Sequence, residues 1–438
     1  MDFSIETLGP RRIKSPIKLS NTKNDFVSNY VDDLGRIIYD PTVRHLQECT
    51  AQNQMPKAFE IAGPREMIYF DPSKVNAAVV TCGGLCPGIN DVIRSLVMEL
   101  WYWYGVRNII GIKYGFRGFL PEYGYETVNL TPDFVTDIHN TGGTILGSAR
   151  GAAKTEEIVD SLERMNIRVL FTIGGDGTQK GSLAIHEEAK KRGLKLAVVG
   201  IPKTIDNDIM FVDKTFGFET AFSTATDAVR AAHTEAQGAY NGIGLVKLMG
   251  RDSGFIAAMA ALATHDVTFV LVPEVPFHLD GPNGFLKHLQ SRLERRHHAV
   301  ICVAEGAGQE HIIKASTEKD ASGNIKYGDI GLFLKDKINS YLNGAGMDFT
   351  LKYIDPSYII RSAPAIPSDS IYCAQLGQNA VHAAMAGKTG LIVGSWNNVF
   401  THVPISAIIS DRKKIDPDGL FWLHVLESTG QPLSMLNK

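Results

Sequence analysis

Hydrophobic residues from Lys74 onward form short continuous runs that alternate with longer runs of helical period. The short runs are rich in β-branched residues and lack the apolar–polar alternation of a half-exposed strand. Continuous apolar strands separated by amphipathic helices are typical of a parallel sheet covered on both faces. The predicted strands are KVNAAVVTC, NIIGIKYG, RVLFTIGG, KLAVVGIPK, GIGLVKLMG, VTFVLVPEV, AVICVAEGA, DFTLKYIDPSYIIR and GLIVGSW.

The helical segments between these strands divide the chain into two α/β units. A helix over 219–237 separates the first unit from the second, and a later helix and strand, from Ser370 to Trp396, look like a return to the first. A chain of 438 residues is also too long for one ordinary core. A polar insertion, KASTEKDASGNIKYGD, interrupts the second unit. The first 70 residues are polar and aperiodic, so we predict an extension that wraps on the core or projects from it.

Composition removes several classes of function. The 44 basic and 47 acidic residues give a formal charge of −3, which provides no electrostatic footprint for nucleic acid or an anionic membrane. No apolar run has the length of a bilayer span, and the first twenty residues lack the apolar core of a signal peptide. We therefore expect a cytoplasmic protein whose five scattered cysteines remain thiols.

Polar clusters follow one predicted strand after another, at the point where each strand ends. In parallel sheets, ligands bind beyond the carboxyl ends of the strands, so this recurrence predicts one large active cleft. The clusters are Gly83 and Gly84, Gly174–Thr178, Lys203–Asp208, Met249–Asp252, Glu274 and Glu305.

Two of these clusters, TCGGLCPG and GGDGT, are glycine-rich turns between a strand and a helix. Glycine lets backbone N–H groups approach phosphate oxygens, although tight turns also need glycine for geometric reasons alone. Asp176 would repel a bare phosphate, so we favour a role in holding Mg²⁺ that bridges phosphate oxygens. The alternative for Asp176 is an N-cap of a helix that starts near Thr178.

The segments PKTIDND and KLMGRDSG add a candidate base and a cation to the predicted cleft. Asp206 is placed to accept a proton from a hydroxyl group, the one proton transfer that phosphoryl transfer requires. For Asn207 and Asp208 an Asx-turn is a respectable alternative. Arg251 is suited to neutralise a transferring phosphoryl group; taken alone, it would more simply pair with a surface carboxylate.

Seven motifs, in this order, resemble those of the phosphofructokinase family: GGLCPG, GSARG, GGDGT, PKTIDND, MGRDSG, AEGAG and YIIR. The resemblance runs from about Val75 to Asn398. The long N-terminal extension, KLMGRDSGFIA and LKYIDPSYIIR are more similar to plant and protist members than to the short bacterial enzymes.

The resemblance implies two Rossmann-like α/β domains with largely parallel sheets, an active site in the cleft between them and an N-terminal extension over 1–70. It implies a nucleotide-binding domain over 71–217, completed by about 362–409. It further implies a fructose 6-phosphate-binding domain over 218–361, completed by about 410–438.

The resemblance also implies roles for single residues. The phosphate-donor site would comprise Gly84, Arg150, Gly151, Gly175, Asp176, Gly177 and Thr178, with Asp176 as the Mg²⁺ ligand. In the sugar-phosphate site Asp206 would be the base that accepts the proton of the 1-hydroxyl, with Thr204 beside it and Arg251 near the moving phosphoryl group. The other sugar-phosphate positions would be Met249, Gly250 and Glu305, with Lys352, Tyr358 and Arg361 gripping the 6-phosphate.

The identity of the donor depends on Gly177 and Lys203. Pyrophosphate-dependent members of the family resemble GGDD followed by PKTIDND, whereas this chain has Gly177 together with Lys203. A second aspartate at position 177 would crowd and repel the α-phosphate of ATP. We therefore expect MgATP as donor, with pyrophosphate as the alternative.

Two further hypotheses stay open at this stage. Lipid and NAD kinases share a GGDGT element but lack the PKTIDND and MGR set, and a regulatory subunit that only binds nucleotide or sugar phosphate would not need Asp206. The expected partners are fructose 6-phosphate and ATP, with no nucleic acid or membrane. Members of the family are usually dimers or tetramers, so we expect a homo-oligomer.

Overall fold

The computed structural model of the protein describes residues 2–151, 153–312 and 327–437. Most of the predicted polar insertion, residues 313–326, lies outside these ranges. The chain divides into two compact units. The first unit comprises Met1–Thr204, Ile209–Gly217 and Pro364–Arg412, and the second comprises Ile205–Asp208, Phe218–Ala363 and Lys413–Lys438.

The first unit is built around a nine-stranded sheet with the strand order β3-β4-β17-β16-β10-β9-β6-β7-β8. The five strands from β16 to β7 are parallel, and antiparallel strands extend both edges. The strands of this sheet are β3 (Arg36–Ile38), β4 (Ala58–Ile61), β6 (Asn76–Thr81), β7 (Asn108–Ile112), β8 (Val128–Asn129), β9 (Val169–Gly174), β10 (Ala197–Pro202), β16 (Leu391–Trp396) and β17 (Val399–Pro404).

Burial confirms the parallel sheet that the continuous apolar runs predict. Every residue of β9 and β10 is buried, so neither face of these strands meets solvent. Side chains of α4 and α5 form one apolar cluster with β6, β9 and β10, while α2 and α11 pack against each other. The helices of this unit are α1 (Val43–Ala51), α2 (Ile89–Met98), α3 (Pro132–Val135), α4 (Thr155–Arg164), α5 (Asp176–Lys191), α11 (Pro367–Met385) and α12 (Ile405–Ile408).

The N-terminal extension is more ordered than its aperiodic sequence indicates. Its strands β3 and β4 join the main sheet, and Phe3 packs against Phe59 and Phe211 with ring centroids 4.5 and 5.1 Å apart. Burial of these rings holds the extension on the core. Two further two-stranded ladders of this unit pair β1 (Glu6–Thr7) with β15 (Lys388–Thr389) and β2 (Ile13–Lys14) with β5 (Met67–Ile68).

The second unit contains a four-stranded parallel sheet with the order β12-β13-β11-β14. Its strands are β11 (Gly242–Leu248), β12 (Phe269–Leu271), β13 (His298–Ala304) and β14 (Thr350–Ile354). Its helices are α6 (Phe218–Gln237), α7 (Phe255–Thr264), α8 (Phe285–Arg296), α9 (Ile330–Gly344), α10 (Ser357–Ser362) and α13 (Leu420–Thr429).

One predicted strand is wrong over half of its length. The segment DFTLKYIDPSYIIR forms β14 only as far as Ile354 and then turns into helix α10. Asp355 causes the change, because its carboxylate accepts hydrogen bonds from the backbone N–H and the hydroxyl of Ser357 at the start of the helix.

The five cysteines all lie within the described ranges, and no disulfide joins any two of them. In the part of the chain that the structure describes, no helix has the length and apolarity needed to cross a membrane.

Candidate functional site

Three loops, two of them glycine-rich, lie at the carboxyl ends of neighbouring strands in the first unit. Gly83 and Gly84 follow β6, Gly175 follows β9, and Lys203 follows β10; these three strands are adjacent in the sheet. The GSARG segment joins them, because the N–H of Gly83 donates to the carbonyl of Ala149 at 3.1 Å and the hydroxyl of Ser148 donates to the carbonyl of Gly83 at 2.6 Å. The structure thus brings together the four segments predicted to bind the phosphate donor.

Cations surround these loops. The ammonium group of Lys203 donates to the carbonyl of Gly84. A Cβ atom built on Gly84 would lie 3.2 Å from Nη2 of Arg150, and one built on Gly151 would lie 3.2 Å from Nη2 of Arg117. The loops therefore present backbone groups and positive side chains together, which is the chemistry of an anion site.

Asp176 is the first residue of α5, and Gly175 holds the cap position. The alternative of an Asp176 N-cap on a helix starting near Thr178 is therefore wrong. The carboxylate is 24 % exposed and pairs with Nζ of Lys180 at 2.9 Å and with Nη2 of Arg412 at 3.4 Å. Arg412 and Lys180 are absent from the residues that the sequence motifs indicate.

The surroundings of Asp176 fit a Mg²⁺ ion that is held jointly by protein and substrate. Within the described ranges no group of three or more His, Cys, Asp or Glu side chains is arranged to hold a metal ion. Mg²⁺ is commonly bound by one or two carboxylates together with substrate phosphates, so a single partly exposed carboxylate beside phosphate-binding loops suits it.

Replacing Asp176 by Asn should raise the Mg²⁺ concentration that gives half-maximal activity by about tenfold or more, because an amide oxygen is a weaker ligand than a carboxylate. Activity measured over a magnesium titration checks this. The matched control is Lys180→Met, which removes a cationic partner of Asp176 and should leave the requirement equal or lower. An unchanged Mg²⁺ requirement in Asp176→Asn would contradict the assignment.

The two residues after Asp176 differ in their surroundings. Apart from the adjacent residues and the backbone of its own helix, no heavy atom of the described residues lies within 4 Å of a Cβ atom built on Gly177. Thr178 is buried, and its side chain packs on Gly174, where a Cβ atom would come within 2.1 Å of the threonine hydroxyl. Thr178 therefore packs under the loop, whereas position 177 has room for a side chain.

In the second unit the candidate residues follow the carboxyl ends of β11 and β13, which are adjacent strands. Met249 is buried, and Gly250 has φ = 124°, where a side chain would also meet the carbonyl of Ser253 at 2.4 Å. The Arg251 guanidinium lies 4.4 Å from the ring centroid of Tyr327, which orients it by a cation–π contact.

Asp206 lies near Glu305 and Arg361 in the same unit. Removal from water raises the pKa of the Asp206 carboxyl well above its usual range, and the neighbouring carboxylates of Asp208 and Glu305 raise it further. The guanidinium of Arg361 acts in the opposite direction. The backbone carbonyl of Asp206 accepts a hydrogen bond of 3.0 Å from the hydroxyl of Ser253, which fixes the segment that carries it.

The neighbours of Asp206 in sequence have supporting contacts. Asn207 adopts a left-handed conformation with φ = 55°, its side-chain oxygen accepts from Nζ of Lys413 at 3.3 Å, and the carbonyl of Asp208 accepts from the N–H of Lys413 at 3.0 Å. Thr204 belongs to the first unit, where its carbonyl accepts from the hydroxyl of Thr215 at 2.6 Å.

The three residues expected to grip a 6-phosphate occupy different places. Arg361 lies on α10 close enough to Asp206 to influence its pKa, and Tyr358, on the same helix, is 87 % exposed. Lys352 lies in β14, opposite Gly244 of β11 and two residues before the carboxyl end of its own strand. The structure places Arg361 near Asp206, and the role of Lys352 stays a prediction.

An ion cluster that no sequence motif indicates positions α10. Nζ of Lys247, on β11, lies 2.8 Å from Oδ2 of Asp355 and 3.0 Å from Oδ2 of Asp329. Burial lowers the pKa of Lys247, but hydrogen bonds to the two carboxylates outweigh it and hold the pKa above its usual range. Asp355 in turn fixes Ser357, so Lys247 holds the helix that carries Arg361. The sequence around Lys247, KLMGRD, does not indicate these ion pairs, because Asp329 and Asp355 are distant from it in the chain.

Replacing Lys247 by Met should raise the KM for the sugar phosphate by about tenfold, because the partly exposed carboxylates of Asp329 and Asp355 then lose their shared cation and α10 loosens. As Arg361 moves away, the pKa of Asp206 rises, so the low-pH limb of kcat/KM should shift to higher pH. Lys247→Arg should restore both. Lys337→Met, which removes an exposed lysine of the same unit, is the matched control. A lower melting temperature with an unmoved pH limb would show that Lys247 serves stability alone.

Glu274, one of the polar residues at strand ends, has a structural role. Its carboxylate accepts hydrogen bonds of 3.1 Å from the N–H of Gly254 and of 2.9 Å from the N–H of Ile415. Both contacts tie loops of the second unit to the start of α7. A polar residue after a strand is thus not by itself a ligand-binding residue.

Comparisons with known proteins place this architecture in a family. Residues 76–384 match the phosphofructokinase family. The chain is 56 % identical over 443 residues to an ATP-dependent 6-phosphofructokinase of Borreliella burgdorferi, an alignment that covers 100 % of this chain and 98 % of the relative. It is 52 % identical to the chloroplastic ATP-dependent 6-phosphofructokinase 5 of Arabidopsis thaliana, over 85 % of this chain and 68 % of the relative.

A solved structure shows the same fold. The pyrophosphate-dependent phosphofructokinase of Marinobacter aquaeolei superposes with a TM-score of 0.65 at 22 % identity, covering 78 % of this chain and 86 % of that one. The match over most of the chain and the high identity to the relatives show that the protein belongs to the phosphofructokinase family. The predicted resemblance and the two-domain α/β fold class are confirmed.

Proposed function

We propose that this protein is an ATP-dependent 6-phosphofructokinase, which transfers the γ-phosphoryl group of MgATP to the 1-hydroxyl of fructose 6-phosphate and yields fructose 1,6-bisphosphate. The observation that carries the proposal is the set of three cation-lined loops, two of them glycine-rich, at adjacent strand ends, in a chain 56 % identical to an enzyme of that name. The unit that contains the loops is then the nucleotide-binding domain, and the second unit is the sugar-phosphate-binding domain.

In the first unit, backbone groups of the loops and the cations Arg150 and Lys203 bind the donor phosphates. Mg²⁺ bound at Asp176 would neutralise charge on the donor's phosphate oxygens. Lys180 and Arg412 pair with the Asp176 carboxylate and would hold it beside the donor site. Gly177 leaves room beside the loop for a nucleotide.

In the second unit, Asp206 accepts the proton of the 1-hydroxyl as that oxygen attacks phosphorus. A base works best when its pKa lies near the working pH, and the raised pKa of Asp206 moves it toward that range. Arg251, held by Tyr327, supplies positive charge to the phosphoryl group in transfer. Arg361 binds the 6-phosphate with Tyr358 and Lys352, and Glu305 and the Met249–Gly250 turn shape the sugar site.

The pH profile should carry the signature of Asp206. The base acts only when deprotonated, so kcat/KM for fructose 6-phosphate should fall as pH is lowered through its pKa. Because that pKa is raised, the fall should begin at a higher pH than for an ordinary carboxyl group of pKa about 3.9. Rates measured across pH at saturating ATP test this. A profile flat across the range in which the folded protein is stable would contradict it.

We further propose that the enzyme is a homo-oligomer of the cytoplasm. Homo-oligomers are usual in this family, and the absence of a spanning helix among the described residues is compatible with our placement of the enzyme in the cytoplasm.

Product analysis tests the proposed activity directly. Purified protein incubated with Mg²⁺, ATP and fructose 6-phosphate should give a product whose phosphorus NMR spectrum shows a second phosphate ester at the 1-position. Fructose in place of fructose 6-phosphate should give no comparable turnover, because Arg361 then has no 6-phosphate to bind. A phosphate at another position, or no ester at all, would overturn the proposal.

A further inference from the structure

A cavity of about 730 Å³ lies in the first unit at the amino ends of β6, β7, β9 and β10. These are four neighbouring strands of the parallel sheet. The three loops of the candidate anion site follow the opposite ends of β6, β9 and β10. The volume is within the range of small-molecule sites. The lining residues are Ile13, Tyr69, Phe70, Asp71, Lys74, Val75, Asn76, Asn108, Asn166, Arg168 and Lys195.

The charge of the lining is positive. Three cationic side chains, Lys74, Arg168 and Lys195, face one carboxylate, Asp71. Nζ of Lys74 lies 3.4 Å from that carboxylate, and Nζ of Lys195 lies 3.4 Å from a single backbone carbonyl, that of Leu8. Two positive charges thus remain without a carboxylate partner at the cavity.

Arg168 is the most informative of these cations. It is half-buried at the start of β9, and its backbone N–H donates to the carbonyl of Asn76, which fixes its main chain at the cavity wall. Its guanidinium has no hydrogen-bond or ion-pair partner among the described residues. A guanidinium held in a wall without a partner gains most from a bidentate anion such as a phosphate group.

A simpler explanation covers part of this charge. Helices α4 and α5 end near the amino ends of the strands, and cations there offset the negative ends of the helix dipoles. Exposed lysines in the last turn of α5, Lys190 and Lys191, already provide that compensation. The helix dipoles therefore do not account for Arg168, which is half-buried in the cavity wall two residues after Asn166, where α4 has ended.

The remaining lining suits the organic part of a ligand. Tyr69 and Phe70 pack edge to face with ring centroids 4.9 Å apart and, with Val75, form an apolar wall. The side-chain amides of Asn76 and Asn108, hydrogen bonded to each other at 3.1 Å, offer donors and acceptors beside it. A bare inorganic anion would leave this wall unused.

We infer that this cavity binds a small organic phosphate, with the phosphate group on Arg168 and Lys195 and the organic part against Tyr69 and the asparagine amides. The ligand would be distinct from the substrates of the reaction, since β6 is six residues and thus about 20 Å long and separates the cavity from the loops at its other end.

Calorimetric titration of the full-length protein, with the catalytic site saturated by fructose 6-phosphate and a non-hydrolysable analogue of MgATP, tests this. The probes are uridine monophosphate, glycerol 3-phosphate and inorganic phosphate. We expect at least one of the two organic probes to bind, and the double variant Arg168→Met/Lys195→Met to weaken its binding by about tenfold or more. The two organic probes distinguish a nucleotide from a simple phosphate ester.

The matched control is Lys191→Met, which removes a lysine four residues from Lys195 that does not line the cavity, and should leave the affinity unchanged. The kcat of both variants under saturating substrates, without probe, should equal that of the wild type, which shows that they are folded. Three results would overturn the inference: no binding of either organic probe, binding of inorganic phosphate alone, or equal affinities in the wild type and the double variant.

Discussion

Replacing Asp206 by Asn lowers kcat by about 10²-fold or more if this side chain is the base, because general-base catalysis contributes that much and an amide accepts no proton at the working pH. The substitution keeps the shape of the side chain and removes a charge that burial and two neighbouring carboxylates already disfavour. The folded state should therefore persist. The measurement is kcat at saturating MgATP and fructose 6-phosphate, with the affinity for the ATP analogue measured separately and expected to be unchanged.

Glu274→Gln is the matched control for Asp206→Asn. Glu274 is another partly buried carboxylate of the second unit whose pKa burial raises, and it caps backbone N–H groups instead of facing Arg361. Its replacement should lower thermal stability and leave kcat within a factor of about three. If Asp206→Asn retains kcat within about tenfold of the wild type, Asp206 is not the base.

Replacing Gly177 by Asp lowers kcat/KM for ATP by about 10²-fold or more, because a carboxylate beside a donor phosphate costs a few kcal/mol at the effective dielectric of a protein surface. No protein atom lies within 4 Å of a Cβ atom at this position, and Gly177 is not left-handed, so the fold accommodates the side chain. The loss would then report repulsion of the donor and not misfolding. Initial rates over an ATP titration give the value.

Gly177→Asn separates the effect of charge from that of volume. It adds a side chain of nearly the same size without the negative charge, so the difference between the two variants measures electrostatic repulsion. We expect Gly177→Asn to lose clearly less than Gly177→Asp. If the wild type and Gly177→Asp have equal kcat/KM values for ATP, Gly177 gives no physical reason to assign ATP as the phosphoryl donor.

The sequence predicts the core of the fold because a parallel strand buried on both faces is apolar at every position. Each run such as KLAVVGIPK is apolar throughout, and the corresponding strand is buried throughout. The order of the polar clusters then follows from the topology, since carboxyl ends of adjacent parallel strands meet at one edge. For this reason the glycine-rich loops and Lys203 are found together in the first unit.

The features that sequence patterns miss are those made by distant or short segments. Strands β3 and β4 are three and four residues long and half-exposed, so they show no period. Arg412 reaches Asp176 from the far end of the chain, and Lys247 joins two carboxylates more than 80 positions away. Long-range ion pairs of this kind leave no local signature.

The rate of fructose 1,6-bisphosphate formation by one preparation of the wild-type protein, with MgATP and with magnesium pyrophosphate as alternative donors, tests the reaction and the donor together. We expect turnover with MgATP and a kcat/KM for pyrophosphate lower by about 10²-fold or more, because Gly177 admits the nucleotide. A higher kcat/KM with pyrophosphate, or no turnover with either donor, would contradict it.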